Sequence, residues 1–387
     1  MRLLTLPLLL TLSSWVMAAT LTVPVPTSIK RPVPSAPSLA ASSYLLIDGS
    51  TGTVIVESNA DQPLPPASLT KLMTAYLVEK DLKAGTVTLE DSVPISVKAW
   101  KTGGSRMFIR EGTQVEMGDL LKGIIIQSGN DASVAVAEFL GGSEGGFAEL
   151  MTAQASALGM TNTTYYNATG LPAPGHLTTA RDLSILAREI IYGHPDLYSL
   201  YSQKSFTYND IKQDNRNRLL WKDPSVDGLK TGHTEEAGYC LVASAERNGM
   251  RLISVVMGTK STQSREQETA KLLNYGFRFF EGVSLFQAGQ TLDTSARVWG
   301  GERDVVSLGP KDAVYLTLPK GARESLSVSL DMQPELVAPI AQGQQIGMLS
   351  VTLEGETLAL VPVIATEAVV DGSLFKQAMD WVLRAVQ

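Results

Sequence analysis

Asn248-Gly249 sits between two apolar runs, Gly238 to Glu246 and Met250 to Met257. An Asn-Gly pair supplies the two positive φ angles that a tight hairpin turn requires. The runs therefore pair as antiparallel strands, and Val226 to His233 leads into the first of them. A second hairpin is written near the start, where Tyr44-Leu45-Leu46-Ile47 and Val54-Ile55-Val56 flank Asp48-Gly49-Ser50-Thr51-Gly52. The segments between the two hairpins are largely helical or irregular in pattern. A domain that begins and ends in hairpins and keeps its helices between them is an α+β fold, with one antiparallel sheet and helices segregated from it. A helix from about 263 to 280 should cover one face of that sheet.

The inserted region has its own punctuation. Pro65 and Pro66 precede a stretch in which Leu69, Leu72, Met73, Tyr76 and Leu77 recur at helical spacing. This predicts a helix to about Asp81 with one face buried. Residues 84–117 read as short strands and turns. Leu120 to Gln127 is an apolar helix, interrupted at Ser128-Gly129-Asn130. Asp131 is expected to cap a new helix through Leu140, apolar nearly all round and so buried. Residues 141–178 read as irregular, apart from a helix near 147–158. Thr179 and Asp182 form a capping signal for a helix to about Tyr192.

The flanks belong to other classes. Arg2, the apolar run Leu3 to Leu12 and the small residues up to Ala18-Ala19 make residues 1–19 a secretory signal peptide. Residues 20–40 hold five prolines and are expected to be an extended linker rather than a packed segment. The inserted-helix domain then spans 41–283. Near Gly282 the pattern changes to alternating runs such as Leu326-Ser327-Val328-Ser329-Leu330, with turn signals about every ten residues, so 284–371 is a small all-β domain. In residues 372–387, Leu374, Phe375, Met379, Val382 and Leu383 fall on one side of a helix and Lys376, Asp380 and Arg384 on the other. This amphipathic helix is expected to lie on a membrane surface. A net charge of -7 and a pI near 5.2 argue against a nucleic-acid binder. A single cysteine, Cys240, excludes an internal disulfide and any cysteine-built metal cluster.

Chemistry concentrates at the mouth of the first helix. Ser68 and Lys71 are three residues apart and so are neighbours on its surface. A serine hydroxyl needs a base to become a nucleophile, and a lysine serves when burial or a nearby cation makes it neutral. Alone the pair is weak evidence, because Ser373-Leu374-Phe375-Lys376 repeats it. Two more motifs follow in order: Ser128-Gly129-Asn130 in a helix–helix loop and Lys230-Thr231-Gly232 on a strand.

In that order and those contexts the three motifs resemble the low-molecular-weight penicillin-binding proteins that are serine-type D-alanyl-D-alanine carboxypeptidases of the S11 peptidase family. Longer runs match too: Pro66-Ala67-Ser68-Leu69-Thr70-Lys71-Leu72-Met73-Thr74, Gln127-Ser128-Gly129-Asn130-Asp131-Ala132 and Asp227-Gly228-Leu229-Lys230-Thr231-Gly232-His233-Thr234. The resemblance implies a penicillin-binding-protein/β-lactamase-like domain, the all-β domain and the terminal helix. It implies removal of the terminal D-alanine from peptidoglycan stem pentapeptides, acylation by β-lactams, and no cofactor or metal. It also implies a periplasmic protein held peripherally on the inner membrane. Ser68 would be the nucleophile. Lys71 would be the base, its pKa lowered by Lys230 across the cleft, and Ser128 the proton relay. Asn130 would orient Lys71 and hold the peptide. Lys230 and Thr231 would take the substrate carboxylate, and Gly232 would admit its backbone. The N–H groups of Ser68 and His233 would form the oxyanion hole. Arg216 is either a carboxylate ligand or part of a loop salt bridge.

Other signals read as structural. Lys101-Thr102-Gly103 copies the third motif but precedes the second, with no clear strand after it. Gly141-Gly142-Ser143-Glu144-Gly145 follows a helix, whereas a nucleophile elbow follows a strand. His176 and His194 are expected to pack, the His233 ring is left open, and Cys240 is a small buried residue. A class A β-lactamase would need a water-activating Glu after the second motif. Here Thr163-Thr164-Tyr165-Tyr166-Asn167 offers no carboxylate, and Gly129 stands where that family has Asp. A D,D-endopeptidase of the superfamily often lacks the added β domain, and a non-catalytic wall scaffold need not retain all three motifs.

Overall fold

In the computed structural model, which describes residues 33–386, the chain divides into two units between Gly282 and Val283. The expected signal peptide lies outside the described residues. The sheet of the first unit is built from both of its ends, as the two hairpins require. Its strands are β1 (Ser43–Asp48), β2 (Val54–Ser58), β3 (Val226–Thr234), β4 (Gly238–Arg247) and β5 (Met250–Thr259), in the order β2-β1-β5-β4-β3. Every pairing is antiparallel, with Arg247 opposite Met250 across the Asn248-Gly249 turn.

The longer helices of the first unit are α1 (Thr70–Ala84), α2 (Met117–Lys122), α3 (Asn130–Gly141), α4 (Glu144–Ala157), α5 (Ala180–Gly193) and α6 (Thr262–Phe279). The alternation of β4 partitions the core. Leu241, Ala243 and Ala245 pack under α6 with Leu272, Leu273 and Phe277, while Cys240 and Val242 join the cluster formed by the inserted helices. Each fully buried Leu contributes ~1.5–3 kcal/mol.

Five local expectations change. In α1, Thr70 through Glu79 are all buried, not one face only, because the helix runs through the middle of the inserted region. Asp131 does not cap α3; Gly129 holds that position. The Asp131 carboxylate instead accepts from Met107 N at 2.8 Å, Phe108 N at 2.8 Å and Ile109 N at 3.3 Å. Thr179 Oγ1 does cap α5 through Asp182 N, but the Asp182 carboxylate takes Asn162 N and Thr163 Oγ1 rather than closing a capping box. The proline-rich segment is tethered at two points, although Pro34 to Ala36 stay exposed. Tyr275 Oη donates to Pro34 O at 2.9 Å, and Leu39 enters the cluster under α6. An apolar anchor and a tyrosine donor hold it without regular structure. Helix α4 also begins earlier than its apolar pattern, because Ser143 Oγ caps it through Gly146 N.

Strand β6 (Phe280–Phe286) runs across the boundary, and the second unit contains β7 (Ser295–Trp299), β8 (Val305–Pro310), β9 (Val314–Pro319), β10 (Leu326–Met332), β11 (Leu336–Val337), β12 (Gln345–Leu353) and β13 (Glu356–Ala365). Six form one sheet in the order β10-β12-β13-β8-β7-β11, and β6 pairs with β9. Leu308, Ile346, Leu349, Val351 and Val363 are among its buried core. Helix α7 (Leu374–Val386) follows, and the Asp380 carboxylate accepts from Gly300 N at 2.8 Å.

Candidate active site

Three pieces of the first unit converge on one cavity of about 860 Å³, whose lining includes Ser68, Ser128, Arg216, Thr231, Gly232 and His233. Ser68 lies in the single 3₁₀ turn Ala67–Leu69 that leads into α1. Its N–H is among the first donors of a helical segment, which have no partner inside the helix. Helix α2 loosens into a π-helical turn at Gly123–Gln127 and ends on Ser128, whose φ of 65° is left-handed. That break delivers Ser128 to the cavity and starts α3 at Asn130. Strand β3 is the edge of its sheet, so its outer backbone groups face the cleft, where an extended peptide can pair with them. Lys71, Asn130 and Lys230 lie beneath the surface, at 1%, 4% and 2% exposure.

Lys71 Nζ stands 3.0 Å from Ser68 Oγ, 2.7 Å from Asn130 Oδ1 and 2.6 Å from Thr169 O. A neutral amine has two N–H groups and one lone pair. Asn130 Oδ1 and the Thr169 carbonyl can only accept, so they take the two N–H groups. Ser68 can donate, so the lone pair is left for its hydroxyl. Burial brings the Lys71 pKa down to about 7, opposed by the Asp131 carboxylate. Burial in the dry wall around Lys71 is therefore the leading cause. The repulsion with Lys230 expected from the sequence is shared by both amines, and burial pushes Lys230 itself well below its ordinary value, helped by Lys71, Arg216 and Arg265. The second Ser-x-x-Lys is the opposite case. Lys376 contacts the carboxylates of Asp304 and Asp380, its pKa is raised, and Ser373 Oγ only accepts from Lys376 N.

Several supporting groups have no motif. Thr169 contributes a carbonyl, which leaves no trace in residue identity. Asn167 Oδ1 holds that loop by accepting from Thr169 N, Thr169 Oγ1 and Gly170 N at 3.1, 2.9 and 2.7 Å. A Cβ on Gly170 would lie 1.7 Å from Ala67 O, so only glycine lets the loop reach the helix mouth. Asn130 Nδ2 donates to Gly103 O at 2.7 Å. The decoy Lys101-Thr102-Gly103 therefore does border the site, through its backbone. Gly232 has a second, structural reason. Its missing Cβ would meet Pro66 O at 3.0 Å and Ala67 Cβ at 3.3 Å, so the glycine makes room for the Ser68 turn where it lines the cavity.

Arg216 lines the cavity and donates to Ser105 Oγ at 3.1 Å, which is not the loop salt bridge. Arg265, which carried no sequence motif, is 6% exposed and lines it too. It lies on the buried side of α6 with Thr269, Leu272 and Leu273; a guanidinium on an apolar face was the available signal. The His233 ring stacks on Tyr239 at 3.9 Å. His176 is buried, with Nε2 2.9 Å from Thr70 Oγ1 and Nδ1 accepting from Tyr166 N, and burial lowers its pKa to about 4. His194 packs edge-on against Tyr76. Cys240 is buried.

Residues 30–261 match the family described as D-alanyl-D-alanine carboxypeptidase, and residues 280–371 match the penicillin-binding protein 5 C-terminal domain. The chain is 45% identical over 356 residues to the D-alanyl-D-alanine carboxypeptidase DacC of Escherichia coli, across 90% of this chain and 89% of that one. It is 43% identical over 363 residues to DacA of the same organism, across 92% and 90%. Among solved structures, penicillin binding protein 5 from Haemophilus influenzae superposes with a TM-score of 0.80 at 40% identity, covering 87% of this chain and 99% of that one. Penicillin-binding protein D2 from Listeria monocytogenes, in its ampicillin-bound form, superposes at 0.57 and 32% identity, covering 62% and 98%.

Proposed function

From the premise that the chain belongs to the D-alanyl-D-alanine carboxypeptidase family of serine peptidases, we propose that its hydrolysis of the terminal D-alanyl bond runs through an acyl-enzyme on Ser68. Lys71 takes the Ser68 proton as Oγ attacks the penultimate D-alanine carbonyl. The oxyanion develops against the N–H groups of Ser68 and His233; losing one such donor typically costs ~10²–10³ in rate. As the C–N bond breaks, the leaving amine takes a proton by way of the Ser128 hydroxyl. Lys230, Thr231 and Arg216 receive the terminal carboxylate. Water then cleaves the ester. The observation that carries this reading is the position of Lys71 Nζ, spent on two obligate acceptors and 3.0 Å from Ser68 Oγ.

The same serine should trap β-lactams. The loop 163–171 contains no carboxylate to activate a deacylating water. Incubation with labelled penicillin is expected to leave a long-lived adduct that mass spectrometry maps to Ser68, while a stem pentapeptide loses D-alanine. Fast turnover of a chromogenic β-lactam would overturn the slow-release reading. Cleavage of cross-linked muropeptides without D-alanine release would favour the endopeptidase. No adduct at all would favour the scaffold.

We further propose export by residues 1–19 and peripheral attachment to the inner membrane by α7. No helix among the described residues is long and apolar enough to cross a membrane. In α7, Leu374, Phe375 and Trp381 are 85%, 78% and 70% exposed, whereas Asp380 is 5% exposed. Lys376 and Arg384 pair with Asp304 and Glu335 of the same unit. A docked polar side and an uncovered apolar side suit a lipid surface. Ending the chain before Ser373 is expected to abolish co-sedimentation with anionic vesicles. Unchanged sedimentation would reject α7 as the anchor.

A further inference from the structure

His176 takes no part in the steps above, yet its ring is buried, at 3% exposure, and both of its nitrogens are engaged. Nδ1 accepts from Tyr166 N at 3.2 Å, so it carries no proton. Burial keeps the ring neutral, with its pKa lowered to about 4. The one ring N–H is therefore on Nε2, and it donates to Thr70 Oγ1 at 2.9 Å. These two partners lie on the two pieces that hold Lys71. Thr70 is one of the two residues between Ser68 and Lys71, and its N–H bonds Ala67 O and Ser68 O where the serine turn runs into α1. Tyr166 lies three residues before Thr169, whose carbonyl is 2.6 Å from Lys71 Nζ. The loop between them closes at its base, where the Thr164 and Leu177 backbones bond each other at 3.0 and 3.3 Å. The His176 ring stands at that base, edge-on to Tyr165 at 5.7 Å. A second bond, Thr74 Oγ1 to Ala168 O at 2.8 Å, ties the loop one turn further along α1. Packing alone does not call for a ring with both nitrogens matched, because an apolar side chain fills such a space without polar atoms to satisfy.

We propose that His176 is a positioning residue for the base: its ring ties the Ser68 turn to the loop of Thr169, and so fixes the serine oxygen and the carbonyl between which Lys71 Nζ sits. The same loop helps to wall Lys71 off from water, and burial is what brings that amine to about 7. A slackened loop admits water, and the amine then returns toward its ordinary value. The charges that act on Lys71, Asp131 from α3 and Lys230 from β3, stay in place when His176 is changed. The inference rests on the reading of Lys71 as the base for Ser68 and adds what holds that base in register.

The test compares His176→Leu, which removes both bonds, with His176→Gln, whose amide offers one acceptor and one donor as the neutral ring does. Acylation by fluorescent penicillin is counted per labelled site, so a loss of folded protein does not lower it. His176→Leu is expected to slow acylation at pH 7 by about tenfold or more, since a misplacement of about 1 Å can cost ~10²-fold. Its acid limb should move to higher pH: the ratio of the rate at pH 6 to the rate at pH 8 falls about fivefold when the limb is displaced by about one unit. His176→Gln should restore most of the rate and return the limb. If His176→Leu leaves too little folded protein to label, Thr70→Val cuts the same bond from the other side and should displace the limb in the same direction. A per-site rate and limb left unchanged by His176→Leu or by Thr70→Val, or a Gln variant no better than the Leu variant, would reduce His176 to a packing residue. An unmodified enzyme with no acid limb would strike the reading of Lys71 as base, and this inference with it. A limb that is present but unmoved strikes the inference alone.

Discussion

Lys71→Arg is expected to slow acylation of Ser68 by ~10³-fold or more, although it keeps the positive charge and nearly the reach of the side chain. A positioned general base typically supplies ~10²–10⁴ in rate, and a guanidinium cannot serve as one, because it stays protonated in proteins. Lys71 can serve because burial has brought it to about 7. The substitution separates two roles that the geometry combines. If Lys71 only anchored Asn130 Oδ1 and Thr169 O by charge, Arg would retain most of the activity. If it takes the proton of Ser68, Arg loses it. Fluorescent penicillin labelling gives the acylation rate, D-alanine release gives turnover, and Ser68→Ala sets the zero of both. A retained melting temperature would show that the bulkier group has not unfolded α1. The unmodified enzyme should show the matching pH signature: acylation falls about tenfold per unit below pH 7, as the amine takes up its proton, and levels off above it.

The base was legible in the sequence as a residue but not as an environment. Ser68-x-x-Lys71 and Ser373-x-x-Lys376 are the same string, yet one lysine is walled off from water and the other lies between Asp304 and Asp380. That difference is tertiary, made by α3, α4 and the loop at Thr169 closing around α1. Features governed by local chemistry were readable. Asn248-Gly249 set a hairpin, Thr179 set a cap, and the break at Ser128 showed as polar residues inside an apolar run. Features set by what arrives from elsewhere were not. The Thr169 carbonyl carries no identity, and Gly232 is required by Pro66 and Ala67, far off in sequence. The tethering of Pro34 and Leu39 depends on Tyr275 and the cluster under α6. The inserted helices could be counted, but periodicity alone could not show that α1 is buried all round.

Asp131 illustrates the same limit and supplies the second large effect. Its position next to Asn130 suggested a helix cap. Its carboxylate is instead wholly buried, holding the backbone N–H groups of Met107, Phe108 and Ile109. Phe108 sits at a φ of 71°, so this segment depends on outside bonds to keep its shape. Asp131→Asn keeps the volume but replaces one accepting oxygen with an N–H donor aimed at other N–H donors. Leaving one or two buried groups unpaired, with the charge gone, is expected to cost ~3 kcal/mol of stability, read from urea unfolding. The effect on chemistry should run the other way. Asp131 is the carboxylate that opposes burial at Lys71. Without it the Lys71 pKa falls further, and a larger fraction of the amine is neutral at any pH below 7. Counted per penicillin-labelled site, the acylation rate at pH 6 should therefore rise relative to the rate at pH 8, with the acid limb shifted to lower pH. A variant that is less stable but unchanged in its pH profile would make Asp131 a clamp on residues 107–109 and nothing more. A shifted limb in a weakened fold would mark one buried charge both holding the segment beside Asn130 and setting the pH at which Ser68 becomes reactive.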